Sequence, residues 1–256
     1  MPTGERLVET GPQLHAAQVD VVNRFRGKEV FPEPPKALLE FVERTTEQGF
    51  TFEPYLEPTL HFTPNSKYPG QVAELSPWLI EQINRGKVLQ DALTLSLQWA
   101  AMEGFQKPEY DGGKQLYEND TLAPMLEELR KRGRIEVPDW CTHVPSISRF
   151  GTSPDEIDNY IVPQFIEDTP IKDLVNKGQA KAGVPPFASL FYRGNTAHPE
   201  WGETNTWEWL ANSFGDGGRL IGGYRDRGGL AGVDYRWRDD HFGNVAFRLR
   251  VAFSSK

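Results

Sequence analysis

An α+β molecule is predicted, with a largely helical first half packed on a C-terminal antiparallel sheet. Three observations predict it. Residues 245–253, Val-Ala-Phe-Arg-Leu-Arg-Val-Ala-Phe, alternate apolar and mostly polar positions with the period of a half-buried strand. Upstream, Arg219-Leu220-Ile221 closed by Gly222-Gly223, and Leu230 to Tyr235, read as further short strands bounded by glycine. Before Pro138, five stretches instead carry apolar residues at helical spacing, which puts a boundary between two regions, 1–138 and 139–256, near that proline.

Taken in order, the chain opens with an arm and a helix over residues 13–25, broken by Phe31-Pro32-Glu33-Pro34-Pro35. A second helix starts after Pro35, carries Leu38, Leu39, Phe41 and Val42 as its stripe, and stops at Gln48-Gly49. Residues 50–70 are aromatic and punctuated by proline, hence loop or edge strand. Ser76-Pro77-Trp78 opens a third helix, with a capping hydroxyl followed by proline in the first turn. A fourth is expected over residues 89–103, where Leu89, Ala92, Leu93, Leu97, Ala100 and Ala101 fit a 3.6-residue period. Asp111 to Lys114 reads as a turn without the residues of a phosphate-cradling loop. Asn119-Asp120-Thr121 caps a fifth helix through Leu126 and Leu129, and Arg130-Lys131-Arg132 complement its C-terminus. Past Pro138, Thr152-Ser153-Pro154-Asp155-Glu156 begins a helix carrying Ile157, Tyr160 and Ile161, and residues 187–192 are expected as a short strand.

The closing motifs, Asn205-Thr206-Trp207-Glu208-Trp209, Arg219-Leu220-Ile221-Gly222-Gly223 and Ala246-Phe247-Arg248, stand in the order and at the spacing seen in one family. Over roughly its last quarter the chain resembles the formylglycine-generating enzyme (sulfatase-modifying factor) superfamily. That resemblance implies a variant of the C-type lectin fold, shared with variable proteins diversified by retroelements. Tyr224 stands where Ser-Trp often follows the glycine pair, and Ala246 replaces the usual glycine. The resemblance also implies, for the aerobic enzymes, copper on a pair of cysteines. Here Cys141 is the single thiol, and soft Cu(I) wants two soft ligands, so copper-thiolate oxidation is disfavoured.

Composition narrows the partners. A formal net charge of −8 argues against general nucleic-acid binding, although residues 219–256 carry eight Lys and Arg against four Asp. No apolar run approaches the ~20 residues of a membrane span, and no leader pattern opens the chain, so a cytoplasmic location without a membrane partner is expected. One cysteine excludes an internal disulfide framework. His198, Glu200, Glu203, Asp239 and His241 form an arguable set of metal ligands, and calcium on loop carboxylates and carbonyls is the other cation considered.

By alternation Trp207 and Trp209 face the core, while Glu208 turns the other way, toward an arginine such as Arg219 or Arg248. Trp237 lies among Arg236, Arg238, Asp239, Asp240 and His241, a polar loop in which it is expected to be displayed rather than buried. The predicted ligand-binding residues are therefore Tyr224, Arg225, Asp226, Arg227, Tyr235, Arg236, Trp237, Arg238, Asp240 and His241, rich in the Tyr, Trp and Arg that dominate binding energy. The expected function is a non-catalytic recognition module for a protein, small-molecule or carbohydrate ligand. The alternatives are a metal-dependent oxidoreductase of the formylglycine-generating type with an altered site, and a glycoside hydrolase using Glu200, Glu203 or Asp240.

Overall fold

The computed structural model describes residues 32–65, 67–68, 70–110 and 114–254. The expected helix over residues 13–25 and the turn at 111–113 lie outside them. Within the described residues, helices and mostly antiparallel strands form an α+β molecule built on two four-stranded sheets.

The first sheet has the order β1 (Phe52–Glu57), β4 (Gln98–Glu103), β10 (Arg250–Phe253), β5 (Ala180–Gly183), all antiparallel. Strand β1 forms its edge, where Pro54 needs no partner on its open side. Strands β2 (Leu60–His61) and β3 (Thr94–Leu95) make a small separate pair. The second sheet runs β8 (Val233–Trp237), β7 (Gly218–Gly222), β6 (Trp207–Phe214), β9 (Val245–Ala246), with β9 parallel to β6. The strand expected over residues 245–253 is thus two strands. It leaves the second sheet after Ala246 and enters the first at Arg250, so a single segment ties the sheets together.

Several local signals produce the elements they predict. Helix α1 (Lys36–Glu47) buries Leu38, Phe41 and Thr45, and ends where Gly49 takes φ +93°. Helix α2 (Pro77–Asn84) is capped by Ser76, whose Oγ accepts from the Leu79 amide. Helix α3 (Ala123–Lys131) follows Asp120, whose carboxylate accepts from the Leu122 amide. The last-turn Arg130 does not cap its own helix; its guanidinium donates to the carbonyls of Ser146, Ser148 and Phe150. Helix α4 starts as Pro154–Glu156 on a complete Ser153/Glu156 capping box, loosens into a π turn over Ile157–Ile161, and continues as Val162–Asp168. The π turn ends two positions before Pro163, which has no amide hydrogen and whose ring crowds the preceding turn of a regular helix.

Two expectations are corrected. Residues 89–103 are not a helix but a 3-10 turn, Gln90–Leu93, followed by β3 and β4. Trp99, Ala100, Ala101 and Met102 are all buried because β4 lies between two strands with both faces covered, and a short apolar run of that kind carries no period that separates strand from helix. Residues 187–192 are not a strand but the start of α6 (Phe187–Ala197), after the short α5 (Lys172–Asn176). Pro185-Pro186 precede it, the Phe187 amide is satisfied by the Asn212 side chain, and the run has no β-branched residue before Thr196.

The first half also contributes strands. Among the described residues before Pro138, four strands accompany three helices, and β1 and β4 share a sheet with β5 and β10 from beyond it. The helices do not gather on one side. Phe52, Trp99, Ala101, Val251 and Phe253 share a core layer with residues of α1, α3 and α4, together with Trp207 and Trp209. Tyr55, Ala100 and Met102 share another with α6, Leu79, Leu210 and Leu220. No helix among the described residues is long and apolar enough to cross a membrane.

Candidate functional site

The second sheet positions the predicted residues, and a buried ion pair anchors it. Alternation along β6 sends Trp207 and Trp209 into the core, where the Trp209 indole donates to the Thr152 carbonyl at 2.9 Å. Glu208 points the other way and receives Arg248, whose Nε lies 3.0 and 3.1 Å from its two oxygens. The same guanidinium donates to the Glu103 carbonyl and lies 3.6 Å from the centre of the Trp201 ring. Beside it, buried Lys107 donates to the carbonyls of Thr206 and Gly223 at 2.8 and 2.7 Å. Burial pushes the Lys107 ammonium down to about 8, against the opposing pull of Glu208.

The arginines of residues 245–253 therefore do not form a solvated outer face. Arg248 is fully buried. Arg250 is also buried, bonded to Glu57 and to the Tyr55 hydroxyl. A third buried arginine, Arg149, is held by both Glu103 and Asp120.

The ten predicted ligand-binding residues divide between the two ends of β8. Val233 pairs with Gly222 and Trp237 with Gly218, so the ends stand four residues apart, roughly 13 Å at strand rise. At the first end Tyr224 is stacked on Trp207, while Arg225 is spent on Glu109 and on the Glu203 carbonyl; Asp226 and Arg227 are exposed beside it. At the second end Tyr235 stacks on Phe214, Arg236 covers Phe242 and bonds Asp234, and Arg238 bonds Asp155 and Asp158. Asp240 accepts from the Trp237 amide at 3.0 Å. Trp237 itself is 56% exposed.

His241 is only 13% exposed and faces Glu156 at 3.1 Å, which makes it a tether of this loop to the start of α4 rather than a displayed residue. Its imidazole is lowered by burial but raised further by Glu156 and Glu136, and the net shift is upward.

The five candidate metal ligands are not gathered. His198 meets Glu200 at 3.0 Å, whereas His241 is engaged with Glu156, and among the described residues no group of three or more His, Cys, Asp and Glu is arranged to hold a metal ion. In place of that set, the structure brings Glu53 to His198 at 2.7 Å and to Arg193. Burial alone would raise the Glu53 carboxyl, but its hydrogen bond with His198 and the charge of Arg193 outweigh that and hold it at about 2. Glu53 lies over Gly104, where a Cβ would stand 2.2 Å from its carboxylate oxygen. No local signal could have assigned Glu53 to His198, 145 residues away. The only hint was a pair of carboxylates, Glu53 and Glu57, in an aromatic and proline-punctuated stretch. An open cleft of about 470 Å³ between Arg130, Ile135, Val137 and Val144 is lined by none of the predicted binding residues.

Compared with known proteins, the chain matches no family model, no curated protein and no solved structure.

Proposed function

We propose that this chain is a non-catalytic recognition module whose ligand face is the Trp237 end of the β7–β8 hairpin, within a lectin-like relative of the formylglycine-generating enzyme superfamily. The observation that carries the reading is the state of Trp237. It is more than half exposed, yet its amide is held by Asp240 and the next amide, that of Arg238, donates to the Gly217 carbonyl at 3.2 Å. A large aromatic presented on a fixed backbone spends little ordering entropy on binding. The Glu208–Arg248 pair supports the relationship, because it joins the Trp-Glu-Trp motif to the closing Phe-Arg motif inside the core. The Tyr224 end, whose aromatic and nearest arginine are already engaged, is the lesser part of the face.

The test is selection of ligands from immobilised peptide and oligosaccharide libraries with the wild-type chain, followed by titration of the Trp237→Ala, Arg236→Ala double variant. Binding is expected to fall by ~2 kcal/mol or more while the melting transition stays in place. A retroelement-diversified origin further requires, in the source genome, a near-copy of the codons for this stretch beside a reverse transcriptase. Stoichiometric copper or iron in the purified protein would replace this reading with the oxidoreductase one.

A further inference from the structure

We propose that Trp237 is a stacking platform for the apolar face of a sugar ring, so that the ligand of this face is a neutral carbohydrate; the inference rests on the recognition reading above. Val233, Tyr235 and Trp237 share one face of β8, and exposure rises along it from a buried Val233 through a half-buried Tyr235 to an exposed Trp237. One flank of the indole rests on the facing turn. A Cβ at Gly217 would stand 3.4 and 3.5 Å from its Cζ3 and Cε3 atoms, so the missing side chain is what leaves the ring room to lie there. Tyr235, stacked on Phe214 with ring centres 3.8 Å apart, continues the aromatic strip inward.

The surroundings decide between ligand classes. Trp237 is bounded in its own loop by Arg236, Arg238, Asp239 and Asp240, and in the facing turn by Gly215, Asp216 and Gly217, with no aliphatic residue in either segment. A protein partner is normally met by an apolar patch of several hundred Å² around its anchor, whereas here Tyr235 and Phe214 are half-buried, stacked on each other and on Trp78, which leaves the Trp237 ring as the exposed aromatic inside a polar border. A nucleobase would also stack, but its phosphates would meet Asp216, Asp239 and Asp240, three carboxylates against Lys87 beside Gly215, while Arg236 is engaged with Asp234 and Arg238 with Asp155 and Asp158. A pyranose has the complementary form: one face of C–H groups for the indole, and a rim of hydroxyls that donate to carboxylates. Exposed Asp216 and Asp239 make no side-chain hydrogen bond within the described protein, which leaves their oxygens available to such a rim.

The experiment titrates the full chain with neutral β-linked and α-linked gluco-, manno- and xylo-oligosaccharides, with oligothymidylate, and with the peptides recovered by selection, following tryptophan fluorescence and calorimetric heat. At least one oligosaccharide is expected to saturate, with Trp237→Ala weakening it at least tenfold, Trp237→Phe retaining part of the affinity, and both variants melting like the wild type. Saturable binding of a peptide or of oligothymidylate that depends on Trp237, with no oligosaccharide bound, overturns the carbohydrate assignment and leaves the recognition reading standing. Absence of any Trp237-dependent binding across all three panels overturns both.

Discussion

Strand β8 and the segment that leads into β10 look alike in sequence, apolar residues alternating with Arg236 and Arg238 in one and with Arg248 and Arg250 in the other, yet β8 lies at a solvated edge and β10 in the middle of a buried sheet. The difference is in where the carboxylates are. Arg250 meets Glu57 from 193 residues away, and Arg248 in the adjoining segment meets Glu208 from 40 residues away, both out of solvent. Arg236 and Arg238 meet Asp234, Asp155 and Asp158 at the surface. Alternation with arginine thus marks a strand but does not say whether its polar face is wet. A buried guanidinium needs a carboxylate beside it to offset the loss of water, whereas a surface one can rely on water.

The comparison breaks most visibly if β10 loses its neighbour. Residues 139–256 alone would leave β10 without β4, exposing a backbone edge and both apolar faces; the expected result is a fragment that does not melt cooperatively, checked by calorimetry. A soluble fragment with a sharp transition would show that the two regions fold independently after all.

Next in size is the ion pair. Glu208→Ala leaves Arg248 charged and buried, and should cost roughly 3–5 kcal/mol in urea unfolding, while Glu208→Leu with Arg248→Met should recover a large part. Asp155→Ala, which removes a surface partner of Arg238, should cost less than ~1 kcal/mol. Equal losses for the two acids would erase the distinction between the strands.

The Lys107 amine sharpens the same point through pH. Its folded value is about 8 against an ordinary 10.5, so between those values the unfolded chain holds a proton that the folded chain has released. Stability from this group therefore rises with pH across that window. The wild type should gain on Lys107→Met as pH goes from about 8 to 10.5, measured by paired urea titrations. A constant difference would mean that its two carbonyl partners keep the ammonium charged.

The smallest expected effect is on Trp237. Trp237→Ala should change stability by no more than about 0.5 kcal/mol, against roughly 3–5 kcal/mol for Trp207→Ala, which opens a cavity in the core. Similar melting losses for the two would make Trp237 a packing residue and remove the basis for the binding face.

Much of the local structure was legible because its causes are local. The stop at Gly49, the Ser76 cap and the Ser153/Glu156 box are each written within four residues of the end they make, and all three appear. The burial of Trp207 and Trp209 and the turn of Glu208 toward an arginine followed from alternation alone. Residues 98–103 and 187–192 were misread for the same physical reason in opposite directions: Trp-Ala-Ala-Met and Phe-Ala-Ser-Leu-Phe-Tyr are apolar on every side, so period is silent and burial decides. For α6 the pair Pro185-Pro186 and the lack of β-branched residues did carry a signal. For β4 the residues themselves favour helix, and the two flanking strands override them.

By itself, then, the sequence determined where helices start and stop, which tryptophans face inward, and that Trp237 sits among polar neighbours. Only the tertiary structure decided that residues 245–253 cross from one sheet to the other, that Arg248 and Arg250 are interior, that Glu53 joins His198, and that the predicted binding residues fall at two ends of one strand. Caps and alternation depend on residues a few positions apart. Ion pairs and sheet order depend on segments brought together across the chain, and nothing local encodes the identity of a partner that far away.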